Sequence, residues 1–264
     1  MTPCFPELRI LISNDDGIHS GGIALLEELA RQITDDVWVV APDVEQSAAS
    51  HALTLRKPLR FKSHGNQRYS VDGTPTDSVL MGVKHLLRDR KPDLILSGIN
   101  HGMNLGEDVI YSGTVAAAME GAILGIPSIA FSLRMRESDE AYFWDTPRAY
   151  LVDVVRKLWQ GVLSPDCATK PESLLYNVNF PSVPASEVAG IKACCQGHRV
   201  SGTALVDAED PHGRPLHWIG QYISHDCAID GSDLNAIADR FVTVSPLQFD
   251  LTQYRALEQL EGLF

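Results

Sequence analysis

The sequence predicts an α/β fold on a mostly parallel sheet, with protruding β arms and a terminal helix. Three observations predict it. Short apolar runs alternate with amphipathic stretches through the first half of the 264 residues. Their lengths give β-α-β units, whose strands lie parallel. Beyond residue 133 the alternation loosens into β-like segments with turn chemistry and closes on one more amphipathic stretch.

The first run, residues 8–13, is bounded by Asn14-Asp15-Asp16-Gly17, which marks a buried strand. Residues 22–33 place Ile23, Leu26, Leu29, Ala30 and Ile33 on one helical face. Residues 36–42 form the next strand, and 43–54 a polar loop. Residues 55–73 alternate around His64-Gly65-Asn66, a hairpin signal. The helix over 74–89 starts with Thr74 as N-cap, Pro75 at N1 and Asp77 in the first turn. Strands follow at 92–100 and 126–133, with a helix at 112–125 between them. The looser part gives a helix at 146–162, a strand at 174–181 and irregular β over 189–225 with a turn at Asp210-Pro211-His212-Gly213. A strand at 240–247 and a helix at 250–263, capped near Asp250 or Thr252, complete the chain. No repeat or long linker divides it, so a single domain is expected, with a core over 1–185 and an arm and C-terminal segment over 186–264.

The formal charge of −12 excludes nucleic acid polymers and anionic membranes as partners. It admits a small anion if a cation or backbone N–H groups neutralise it locally. No apolar run reaches membrane-spanning length, and "MTPCFPELRI" lacks signal-peptide regions, so a cytoplasmic protein is expected. The five cysteines, Cys4, Cys167, Cys194, Cys195 and Cys227, include no C-x-x-C spacing. Buried or half-buried free thiols are expected, with Cys194-Cys195 in a strand.

Open parallel α/β sheets bind ligands at the C-terminal ends of their strands. That rule selects Asn14–Gly17, Asp43–Ser50, and the loop from Ser97 through Asn100 and Asn104 to Thr114. All three offer oxygen donors and no sulfur, a set that suits Mg²⁺ or Mn²⁺. Asp15 and Asp16 read in two ways, as a solvated turn capping the next helix or as a cation site. Ser112, Gly113 and Thr114 also read in two ways, as an N-cap with tight turns or as an anion site at a helix N-terminus. No Lys or Arg occurs between Ser97 and Leu133, so a phosphate there depends on N–H groups, hydroxyls, Asn100, Asn104 and a cation. The P-loop, dinucleotide, nucleophile-elbow and H-E-x-x-H patterns are all absent. His19 and His101 lie in the candidate loops, and His198, His212, His217 and His225 in the arm region.

The segments "ILISNDDGIHSGGI", "VAPDVEQSAASHALTL", "DGTPTDSVLMGV", "PDLILSGINHGMNLGEDVIYSGTVAAAMEG", "YNVNFP" and "VTVSPLQFDLT" occur in order. Together they closely resemble the SurE family of survival protein E 5′/3′-nucleotidases, over nearly the whole chain. The resemblance implies a Rossmann-like three-layer sandwich carrying a metal-dependent phosphatase. Its substrates would be nucleoside 5′- and 3′-monophosphates and short polyphosphate. Matched motif to motif, the metal ligands fall on Asp15, Asp16, Ser47 and Asn100, and the phosphate-binding segment on Ser112, Gly113 and Thr114 with Asn104 close by. A homodimer or homotetramer is implied, exchanging C-terminal segments and a β arm. The chain departs from the family pattern at Val44, where Arg is common, at Ala48, where Gly is common, at Ser20-Gly21-Gly22, expected to loosen its turn, and at His101, where a small residue is common.

Two carboxylates balance one divalent cation, which offsets charge on a phosphoryl group in transfer. The attacking group is then a water at the metal or Asp15 itself. His19 is the one candidate general acid. A nucleotide-binding stress sensor with little turnover is the alternative, and a different metal-dependent hydrolase a third possibility.

Overall fold

The structure, a computed structural model, describes residues 5, 7–134, 144–167, 173–227 and 229–263. The chain begins with β1 (Ile10–Ser13), α1 (Gly21–Ala30) and β2 (Val37–Pro42), the expected β-α-β unit, with β1 and β2 parallel. The hairpin is β3 (Phe61–Gly65) and β4 (Arg68–Val71), turning at Asn66 and Gln67. Next come α2 (Pro75–Met81), β5 (Leu94–His101), a single turn α3 (Asp108–Tyr111), α4 (Gly113–Ile123) and β6 (Ser128–Leu133). The second half holds α5 (Asp145–Leu158), β7 (Leu175–Phe180), β8 (Gly190–Ala193), β9 (His198–Glu209), β10 (Pro215–Cys227), α6 (Asp233–Ala238), β11 (Phe241–Leu247) and α7 (Tyr254–Glu261).

Nine strands make one sheet in the order β3-β4-β2-β1-β5-β6-β7-β11-β8. The run from β4 to β7 is parallel throughout. β3 and β11 pair antiparallel to its two ends. The sheet is buried on both faces, as parallel sheets must be. Alternation along β1 decides which side each residue serves. Ile10 and Ile12 join the cluster built with α1 and α5, which includes Ile23, Leu26 and Leu151. Leu11 points the other way, to Val79 of α2, Val83 just after it and Ala117 of α4. The result is the three-layer α/β architecture expected.

Strand order reverses between β1 and β5, because β1 is followed by β2 on one side and flanked by β5 on the other. The ends of these two strands therefore open a crevice, the place where such sheets bind ligands. α1 approaches this crevice closely. A Cβ on Gly22 would collide with the carbonyl oxygen of Ile99, so only glycine fits there.

α2 starts as its sequence specifies. Thr74 Oγ1 accepts from Asp77 N at 3.1 Å, and Asp77 Oδ2 accepts from Thr74 N at 2.9 Å. Asp77 Oδ1 also accepts from Thr54 N at 3.0 Å, which ties the exit of the 43–54 loop to this helix. α2 and α5 end in π-helical turns, Gly82–Leu86 and Trp159–Leu163, inside the spans expected to be helical.

Several elements differ from expectation. The region expected to be irregular β over 189–225 is regular: β8 joins the large sheet beside β11, and β9 and β10 form a two-stranded ribbon with one register shift, between Ile219 and Tyr222. α7 is capped by Gln253, whose side chain accepts from Arg255 N and Ala256 N, rather than by Asp250 or Thr252. Asp250 instead accepts from Thr252 N and the Tyr254 hydroxyl ahead of the helix. α3 and α6 have no counterpart in the sequence pattern, because each is too short to develop a periodicity. Cys194 is buried, but it follows β8, and Cys195 is exposed, since Cys195 is bridged only to Ser232 beyond the sheet. Cys4 and the side chains of His225 and Cys227 lie outside what the structure describes. Among the described residues no helix is long and apolar enough to cross a membrane.

Asp77 is 1% exposed and satisfies three groups, so Asp77→Ala should cost about 2–3 kcal/mol in urea unfolding. Asp77→Asn, which keeps one acceptor oxygen, should cost less.

Candidate active site

β1 ends by delivering Asn14, Asp15 and Asp16 into the crevice. The turn is held from within. Asn14 Nδ2 donates to Gly17 O at 3.0 Å and to Ser20 Oγ at 2.9 Å, and Ser20 caps α1. The Ser20-Gly21-Gly22 variation has therefore not loosened it.

Asp15 is 6% exposed. Its Oδ1 accepts from the Thr114 hydroxyl. α4 thus aims its N-terminus at a carboxylate of the chain itself. The approach is close enough that a Cβ on Gly113 would stand 2.7 Å from Asp15 Cβ. Burial pushes the Asp15 pKa up to about 6, with Thr114 pulling the other way and the Asp16 charge adding to the rise. Asp16 is half-buried, and burial raises its pKa as well. The nearby His101 pulls it back down, and the carboxylate of Glu45 lies near enough to push it further up.

The second loop reaches the site through Gln46 N, which donates to Asp15 O at 2.8 Å. Ser47, the next residue, is exposed and donates to Glu45 Oε1 at 2.5 Å. Further on, the loop is fastened to α3 and α4. Ser50 Oγ donates to Ile110 O at 2.8 Å, and His51 Nε2 lies 3.0 Å from Oε2 of the buried Glu120. Ala48 has φ 56°, the left-handed conformation that glycine adopts without cost. Val44 is 58% exposed and touches nothing in the site that its structure specifies.

The third loop brings Asn100 and Asn104. Asn100 Nδ2 donates to Gly102 O at 2.9 Å, which turns its Oδ1 away from that bond and leaves it available. Asn104 is buried and structural. Its Nδ2 donates to Ser132 Oγ at 2.7 Å, its N–H to Asn179 Oδ1 at 2.9 Å, and its carbonyl accepts from Asn177. Ser112 Oγ accepts from Val115 N at 3.1 Å, the N-cap bond, so its own proton remains to donate.

The base of the arm locks this loop from outside. Asp233 accepts from Gly106 N at 3.1 Å and Gly197 N at 2.7 Å. Glu107 accepts from Arg199 N at 2.6 Å and from His198, and Asp108 pairs with the Arg199 guanidinium.

Among the described residues no group of three or more His, Cys, Asp or Glu is arranged to hold a metal ion. Asp16 Oδ2, Asn14 Oδ1, Ser13 Oγ and Ser97 Oγ are buried oxygens with no hydrogen-bond partner; Ser13 ends β1, Asn14 and Asp16 follow it, and Ser97 lies within β5 in register with Ser13. Such atoms cost energy unless something satisfies them. A hard cation held through carboxylate, amide and hydroxyl oxygens fits that demand.

Sequence reasoning missed Glu45, the His51–Glu120 pair, Trp144 and the arm-base contacts. Glu45 had a signal, a third carboxylate two residues from Ser47. The others join residues about 70 to 130 apart in sequence, or 43 for His101 and Trp144, and had none.

The raised Asp15 pKa has a stability consequence. Below its unfolded value of 3.8 the group is protonated in both states. As pH rises toward 6 the unfolded chain loses the proton first, so stability falls. In EDTA, Asp15→Asn should gain about 2 kcal/mol at pH 7.5 in thermal unfolding, and nothing at pH 3.5. A pH-independent difference would contradict the burial.

The family model described as survival protein SurE matches residues 10–203. A protein named 5′-nucleotidase SurE from Paramagnetospirillum magneticum is 51% identical, covering 97% of this chain and 96% of its own. One of the same name from Erythrobacter litoralis is 47% identical, covering 97% and 100%. The crystal structure of the SurE protein from Aquifex aeolicus superimposes with a TM-score of 0.80 at 39% identity, covering 97% of this chain and 99% of that one. The chain with its switch-point aspartates at Asp15 and Asp16 belongs to the SurE family.

Proposed function

We propose that this chain is a metal-dependent phosphomonoesterase that removes phosphate from nucleoside 5′- and 3′-monophosphates, and from short polyphosphate as a secondary activity. The carrying observation is the unsatisfied Asp16 oxygen beside the buried Asp15, at the mouth of a parallel sheet and the N-terminus of α4. The names of its relatives, 5′-nucleotidases, support the substrate class.

Asp15, Asp16, Ser47 and Asn100 Oδ1 would hold one Mg²⁺ or Mn²⁺. When bound, the ion offsets charge on the phosphoryl oxygens. The remaining work falls to the chain. Thr114 fixes Asp15 by committing one carboxylate oxygen, which leaves the other as the ligand oxygen. The Gly113 N–H and the Ser112 hydroxyl proton are the donors for phosphoryl oxygens, aided by the helix dipole. Asp15 would either attack phosphorus or accept the proton of an attacking water. Asn104 supports the loop without touching substrate. His19, the candidate general acid, is exposed and packs edge-on against His64.

We also propose a homodimer or homotetramer built through the arm and C-terminal segment. Leu205, Val206, Trp218 and Ile219 on the arm are half or more exposed, as are Phe249 and Leu251. α7 buries no residue at all, although it is amphipathic. Beside α4 lies a groove of about 1380 Å³ lined by Ile110, Met119, Ile123 and Val162. Apolar surfaces of this extent want partners.

Phosphate release from AMP, 3′-AMP and tripolyphosphate with Mn²⁺ or Mg²⁺ tests the activity. Asp16→Ala should lower the rate by roughly 100-fold or more, and excess EDTA should abolish it. Undiminished hydrolysis in EDTA would overturn the metal-dependent reading. Nucleotide binding with no phosphate release would favour the sensor alternative. Light scattering should give a mass of two or four chains, and Trp218→Asp with Ile219→Asp should reduce it.

A further inference from the structure

His101 follows directly on Asn100 and is the last residue of β5, in register with Leu133 of β6. The residue is therefore placed at the crevice, yet its side chain is exposed. An imidazole in that position is normally free to rotate. This one is not, because it leans on the indole of Trp144, with ring centroids 5.4 Å apart and an interplanar angle of 49°. Trp144 is half-buried and packs over the start of α1, where its Cζ2 would lie 3.6 Å from a Cβ on Gly21. The two rings come from the end of β5 and the start of α5, and neither is used in holding a cation or a phosphoryl group.

We propose that His101, backed by Trp144, is the shelf on which the base of a nucleoside monophosphate stacks. The inference rests on the phosphomonoesterase reading above and adds what selects a nucleotide over other phosphate esters. A phosphoryl group at Asp15, Asp16 and Gly113 leaves the nucleoside pointing out of the crevice, past the residue that follows Asn100. The outer ring face of His101 is the flat surface there, and its inner side is occupied by Trp144. The centroid spacing leaves no slot for a base between the rings, so stacking is one-sided. Every base has a π-face, so a one-sided stack selects for a base without choosing among bases. The surrounding loop carries no Lys or Arg from Ser97 to Leu133, so charge attraction cannot provide this discrimination.

The test compares binding of AMP with binding of ribose 5-phosphate, which lacks the base, by calorimetry with Mn²⁺ present. In the unaltered chain AMP should bind about tenfold more tightly, the worth of one aromatic–base stack. His101→Ala should bring the ratio of the two affinities close to one. His101→Phe, which keeps a flat ring and discards the nitrogens, should restore most of it. Because the side chain is exposed, thermal unfolding of both variants should match the unaltered chain. An unchanged ratio in His101→Ala overturns the shelf. So does a His101→Phe variant no better than Ala, since the nitrogens would then be the contact. If AMP binds preferentially through His101 but releases no phosphate, the shelf stands and the phosphomonoesterase reading fails. If both esters are hydrolysed and the ratio ignores His101, that reading stands and the shelf fails.

Discussion

The contact between Asp15 and the N-terminus of α4 is the constraint on which the site depends. It joins the end of β1 to a helix that begins about a hundred residues later. A buried carboxylate is costly, and its cost is offset only where donors are already oriented. α4 supplies the Thr114 hydroxyl, and Gly113 removes the one atom that would keep the two apart. The balance is incomplete, as the raised pKa records. A site that leaves a carboxylate partly unsatisfied is prepared for a positive charge.

Around this contact the loops are clamped rather than free. The 43–54 loop is fastened to Asp15, α3, α4 and α2 in turn, through Gln46, Ser50, His51 and Thr54. The 102–111 loop is held by Asp233 and by the arm base at His198 and Arg199. Rigid loops on a rigid sheet hold donors in place without paying for order on each binding event. The arm base bonds directly to the loop that leads into Ser112. Whatever covers the arm therefore bears on the same loop that positions α4.

The surface charge of −12 and an anionic substrate are compatible for a local reason. The crevice has no Lys or Arg from its third loop. What it offers an anion from the chain itself is the N-terminus of α4, and the proposed cation would supply the rest. Asp15, Asp16 and Glu45 crowd negative charge in one place, which is unfavourable for the bare chain and favourable for cation binding.

The sequence by itself determined the layered parallel sheet, the crevice loops and the residues in them. Continuous apolar runs bounded by turn residues specify β1, β2, β5 and β6, and Thr74-Pro75 and Ser112 specify two helix starts, because these are local rules. It also determined Asp15, Asp16 and Asn100 as oxygen donors at strand ends. Tertiary structure alone decided what each donor does. Thr114 serves Asp15, Asn104 serves the strands beneath it, and Ser47 turns to Glu45. It decided the short helices α3 and α6, which have too few residues to show a period. It decided the pairing of His101 with Trp144 and of His51 with Glu120. Those contacts form only when the sheet has closed, because the residues that make them are adjacent in space and remote along the chain.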